Sequence, residues 1–155
     1  LATQMAAGSL DIGMLPVPNA TTVLMKNSDV RVALSLTDEW EAVSNGSILT
    51  QGCIAFRSDL LDEAAITAFL EEYEASVHYM ADEANLDAAA ALTVKYEIVG
   101  SEEIAKAAIP DSNLTYIAGA ADMKASLDGY YQVLFEADPA SIGGAIPDDA
   151  FYFGS

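Results

Sequence analysis

The apolar residues of this chain switch between two periods, and that switch limits the folds open to it. Residues 10–15, 30–36 and 52–57 are short apolar or alternating stretches. Elsewhere, apolar residues recur at three and four. A period of two suits an extended segment, and one of 3.6 suits a helix. Residues 10–15, Leu-Asp-Ile-Gly-Met-Leu, fit a strand buried on both faces and stopped by Pro16 and Pro18. In residues 30–36, Val30, Val32, Leu34 and Leu36 alternate onto one face. Residues 52–57 are predicted as a third strand, with Cys53 as a small apolar side chain buried in it.

The helical stretches carry their own start and stop signals. Residues 3–8 form the end of a helix, closed by Gly8. Asn19 caps a helix through residues 20–25, and residues 37–43 are loop or a short helix. Ile66, Phe69, Leu70, Tyr73, Val77 and Met80 share one helical face, with Glu71, Glu72 and Glu74 on the other side. Residues 87–96 form an alanine-rich helix. Ser101 caps the next, with Glu102 and Glu103 in its first turn, and Pro110 ends it. Residues 114–117 are extended. Met123, Leu127, Tyr130, Tyr131, Leu134 and Phe135 mark a last helix that stops near Pro139, and Phe151, Tyr152 and Phe153 anchor the tail.

Strand–helix alternation predicts an α/β chain, with helices flanking a mainly parallel sheet and a helical C-terminal portion. Strands buried on both faces need neighbours on each side. This chain supplies few, so a further N-terminal segment or a partner chain is expected to cover them.

Charge removes several function classes. Twenty-four Asp and Glu face six Lys and Arg, a net charge of −18. Nucleic acid is repelled, since no basic patch neutralises phosphates, and so is an anionic membrane surface. No apolar run approaches the roughly 20 residues that cross a bilayer, so direct membrane insertion of this segment is not expected. The chain opens at Leu1 without a Met or a basic-then-apolar leader, so any signal peptide is expected to have been removed or to lie outside this segment. Residues 49–53, Leu-Thr-Gln-Gly-Cys, superficially resemble a lipid-attachment site, but Glu39, Glu41 and Asn45 stand where an apolar leader is required.

Catalytic chemistry finds little to work with. His78, the one histidine, lies mid-helix with no nucleophile motif nearby and reads as a dispensable, partly exposed residue. The single Cys53 makes no internal disulfide. No Cys/His cluster suggests a metal, no Gly-rich loop a phosphate, and Glu71, Glu72 and Glu74 are a solvated face. No cofactor is expected.

Several motifs, taken in order, resemble one family. Ala6-Ala7-Gly8-Ser9-Leu10-Asp11-Ile12-Gly13-Met14-Leu15-Pro16-Val17-Pro18 resembles the stretch A-x-G-x-V-D-A-x-x-x-x-E-P of the nitrate/sulfonate/taurine and thiamine-precursor class of ABC-transporter substrate-binding proteins. Residues 27–36 resemble its N-x-D-V-R-V-x-L-x-L, followed by Thr37-Asp38-Glu39-Trp40. Residues 52–61 resemble its returning strand, and residues 68–79 its F-L-x-x-Y-x-x-S-V-x-Y helix. Ala137-Asp138-Pro139, Ser141-Ile142-Gly143-Gly144, Pro147-Asp148-Asp149 and Phe151-Tyr152 resemble its ending. The resemblance covers nearly the whole chain. The family's Glu before the second proline is replaced by Val17, which leaves the ligand open.

The resemblance implies a periplasmic-binding-protein-like fold of two lobes that close by a hinge, present here incompletely. Residues 1–50 would be the end of the second lobe and the crossover. Residues 51–155 would be the returning strand and the C-terminal helices of the first lobe. It implies an extracytoplasmic receptor, periplasmic or a cell-surface lipoprotein in a bacterium. The receptor would bind a small polar or anionic organic molecule and hand it to the permease and ATPase of an importer. A sensory ligand-binding domain is the alternative. Pro16, Val17, Pro18, Asn19 and Thr21 would line the ligand cleft where a strand ends and a helix begins. Gln51, also a candidate ligand-binding residue, and Gly52 would lie at the hinge. Trp40, Tyr130 and Tyr131 read as core aromatics. The related thiamine-precursor synthases use histidine and a cysteine-rich motif, which one His and one Cys cannot reproduce, so no enzyme activity is expected.

Overall fold

The computed structural model describes residues 1–44, 46–57, 59 and 62–154. Among these, the regular structure is helical: α1 (Ala2–Ala6), α2 (Val17–Lys26), α3 (Leu36–Val43), α4 (Glu63–Ala81), α5 (Leu86–Lys95), α6 (Glu102–Ala108) and α7 (Ala120–Ala137). Short 3₁₀ turns follow at Glu83–Asn85, Pro110–Ser112, Pro139–Ile142 and Asp149–Phe151. The chain divides into two compact units, one of Leu1–Arg31 with Leu61–Tyr116, the other of Val32–Leu60 with Ile117–Ser155.

Local chemistry explains where the helices start. Asp62 accepts from the Ala64 and Ala65 amides at 3.0 and 3.2 Å and caps α4. Ser101 accepts from Ile104 and caps α6, as its position in the sequence predicts. Ser35 does the same for α3 through Asp38. Each side-chain oxygen satisfies an amide that the helix itself cannot. At α2 the cap is Pro16, not Asn19, because Val17 is already helical and Pro18 sits in the first turn, where its missing N–H costs nothing.

The first unit has a core of small side chains. Ala89 and Ala90 of α5 and Ala105 and Ala108 of α6 are buried, so these two helices approach closely. Val23 of α2 packs over α6 at 2% exposure, the largest side chain fully buried among the described residues. Alanines bury little area, and burial stabilises at roughly 25 cal/mol per Å², so this core is thin. The outer surface of α4 shows the same economy. Ile66 and Val77 are buried, while Phe69 and Tyr73 stay 43% and 37% exposed and stack on one another at 5.9 Å.

The second unit is held by aromatic rings. Trp40 of α3 meets Tyr130 of α7 edge-on at 5.3 Å, and its indole N–H donates to the Ser47 carbonyl at 3.0 Å. The Ser126 carbonyl accepts from the Ile48 amide at 3.0 Å. Residues 47 and 48 are therefore pinned along α7. Gly129 makes the approach possible, since a Cβ there would stand 2.8 Å from Ser47 Oγ. Tyr131, Phe151 and Tyr152 continue the cluster, and Tyr152 anchors the tail at 4% exposure.

Among the described residues the parallel sheet is not formed. No described residue is in a strand, so an α/β fold with a periplasmic-binding-protein-like sheet is corrected to an all-helical one. The three expected strands, residues 10–15, 30–36 and 52–57, lack ladder hydrogen bonds among the described residues; residue 36 opens α3. Extended backbone is a local property of these sequences, whereas a ladder requires a neighbouring strand. Residues 58, 60 and 61, within the stretch that resembles a returning strand, lie outside the described residues. Cys53 is exposed rather than buried, because the segment that carries it has no sheet to lie in.

Candidate functional site

Pro16, Val17, Pro18, Asn19 and Thr21 come together on the first turn of α2, where an extended segment meets a helix. The turn uses part of its own hydrogen-bonding capacity. The Pro16 carbonyl accepts from the amides of Asn19 and Ala20 at 3.0 and 2.9 Å, and Thr21 Oγ1 donates back to the Val17 carbonyl at 2.8 Å. Thr21 is thereby a helix-packing residue first, with its proton already engaged. Two groups have no partner among the described residues, the Val17 amide and the exposed Asn19 carboxamide. Both stand at the positive end of the α2 dipole, which favours a polar or anionic group. No side chain caps α2.

Gln51 belongs to the other unit, in an exposed extended stretch that begins just after the Ser47 and Ile48 anchor. Its neighbours there include Cys53, which adds to the factors that raise Tyr131. Burial is the largest of these, followed by Cys53 and then Tyr130. Trp40, Tyr130 and Tyr131 are half-buried and packed against one another, in keeping with core aromatics. Lys124 stands among Asp128, Asp149 and the Tyr152 ring; burial lowers its pKa, but the surrounding acids prevail and hold it above the ordinary lysine value.

A shallow hollow of about 200 Å³ lies in the first unit between the end of α4 and the turn after α6, lined by Met80, Asp82, Glu83, Leu86, Ile109 and Leu114 among others. It is smaller than the roughly 300–1,000 Å³ of small-molecule sites, and its two carboxylates would repel an anion. Asp82 already accepts from the Ala84 amide. His78, read from the sequence as partly exposed, is exposed near the end of α4. Among the described residues no group of three or more His, Cys, Asp or Glu is arranged to hold a metal ion, and no helix is long and apolar enough to cross a membrane.

Sequence reasoning missed the anchor of Ser47 and Ile48 on α7. Its one local signal is Gly129, a glycine inside a helical apolar face, which points to close packing there. Comparison with protein families, with curated proteins and with solved structures gives no match.

Proposed function

We propose that this chain is the extracytoplasmic solute-binding component of an ABC importer, taking a small polar or anionic organic molecule at the first turn of α2 and handing it to the importer's permease and ATPase. The order of motifs from Ala6 to Tyr152 supports this reading. The observation that carries it is the α2 amino end, where the Val17 amide and the Asn19 side chain stand unengaged at the positive end of a helix. The Val17 replacement of a carboxylate also fits an anionic ligand, since no fixed negative charge sits within that turn.

A thermal-shift screen of nitrate, sulfonates, pyrimidines and aromatic acids tests the proposal. A ligand held at a hundred times its Kd stabilises the folded state by about 2.7 kcal/mol, which raises Tm by several degrees in a chain of this size. The expected result is a saturable rise with one of these classes, reduced at least tenfold in affinity by Asn19→Ala. No rise with any class, or a rise that Asn19→Ala leaves untouched, would contradict the assignment of the site.

A further inference from the structure

Three of the five asparagines are followed two residues on by a serine or threonine: Asn19-Ala20-Thr21, Asn45-Gly46-Ser47 and Asn113-Leu114-Thr115. That spacing is the acceptor pattern for an N-linked sugar, and it belongs on a surface loop. A carboxamide nitrogen is a poor nucleophile, so the transferring enzyme has to hold the carboxamide together with the hydroxyl two residues on. Both groups must therefore be presented side by side, outside a helix and outside the core.

The structure separates the three. Asn19 and Thr21 lie inside α2, where residues two apart do not face each other. The Thr21 hydroxyl is part-buried and donates to the Val17 carbonyl at 2.8 Å. Ser47 is buried, and a Cβ on Gly129 would stand 2.8 Å from its hydroxyl oxygen, so α7 closes over it. Asn45 itself lies outside the described residues. Asn113 stands just beyond the Pro110–Ser112 turn at φ 48 and ψ 45, a left-handed conformation that asparagine tolerates better than most side chains. Residues 113–118 are in no helix, and Asn113, Leu114 and Thr115 are all exposed. The Asn113 carboxamide donates to the Asp111 carbonyl at 3.4 Å, longer than a well-formed bond and readily given up. The Thr115 hydroxyl makes no hydrogen bond among the described residues. Asp111, also exposed, adds a carboxylate two residues ahead of the asparagine, a handle for a cationic recognition site.

We propose that Asn113 is the acceptor for one N-linked oligosaccharide. Its carboxamide nitrogen bonds to the anomeric carbon of the sugar and gives up one proton. The bond from that carbon to the phosphate oxygen of a polyprenyl-diphosphate donor breaks, and the lipid diphosphate leaves with the bonding pair. The inference rests on the extracytoplasmic location proposed above and not on the solute. Asn19, held in its helix, stays unmodified.

Intact-mass spectrometry of the chain from the cell that makes it reads the modification directly. The mass is expected to exceed that of the bare chain by one oligosaccharide, and mapping of protease fragments should place it on Asn113, with Asn19 and Asn45 bare. The folded chain, incubated with a purified oligosaccharyltransferase and a polyprenyl-diphosphate-linked oligosaccharide, should take up one sugar chain at the same residue. Thr115→Ala should lower that yield by about tenfold or more, and Thr115→Ser should restore most of it. Thr115 is exposed, so the helical circular-dichroism signal should survive both changes. Unmodified chain from the cell overturns the proposal. So does addition at Asn19 or Asn45 as fast as at Asn113, or a yield indifferent to Thr115→Ala. None of these readouts involves a solute, so an unmodified chain whose Tm still rises with one separates failure here from failure of the solute reading.

Discussion

Tyr152 shows how a buried group contributes to the pH response of its unit. It is 4% exposed, and its hydroxyl has no hydrogen-bond partner among the described residues. Burial, then the neighbouring Tyr131, hold the phenol above its ordinary value of 10.0, against a smaller opposing pull from Lys124. A phenol whose folded pKa is raised favours the fold while protonated. That contribution is complete below the unfolded value and is lost as pH rises through the folded one. Tyr152→Phe removes both an unpaired hydroxyl and the titration. The variant is expected to match or exceed the parent at about pH 7, by up to about 1 kcal/mol, and to lose less stability above about pH 10. Urea unfolding at both pH values checks this. A clear loss at neutral pH would mean that the hydroxyl has a partner.

At the scale of elements, the helices were legible because their signals are local. Ser101 three residues ahead of Ile104, Pro110 after α6 and the spacing from Ile66 to Met80 all act within a turn or two. The sheet was misread for the opposite reason. Val30, Val32, Leu34 and Leu36 alternate as strand residues do, but alternation fixes only what an extended segment would prefer to bury. Whether a neighbour lies alongside is decided elsewhere in space. The first turn of α2 was readable from Pro16 and Pro18, although Asn19 was assigned a capping role that Pro16 takes. The packing of Ser47 on Gly129 joins residues 82 positions apart, and apart from Gly129 itself no short-range pattern announces it. Helices with thin packing depend heavily on their ends. α4 buries only Ile66 and Val77, so Asp62→Ala is expected to cost about 1 kcal/mol through the lost cap, and Asp62→Asn much less. Urea denaturation followed at 222 nm distinguishes them. Equal stability of Asp62→Ala and the parent would show that the cap is not formed.

At the scale of the whole molecule, the chain combines well-defined helices with non-helical segments that carry exposed apolar side chains. Val32, Leu34, Ile54 and Phe56 are 60%, 67%, 40% and 40% exposed, in addition to Ile12 and Met14. An alanine-rich core holds the first unit and an aromatic cluster the second, while several other large apolar side chains stay exposed. Amide hydrogen exchange of the isolated chain, resolved by residue, tests the arrangement most directly. Amides of α2, α5 and α6 are expected to be protected, while those of Ile12, Gly13, Met14 and Leu34 exchange at the rate of an unstructured peptide. Protection across residues 10–15 comparable to that of α5 would contradict it, because those amides would then already be paired within the chain.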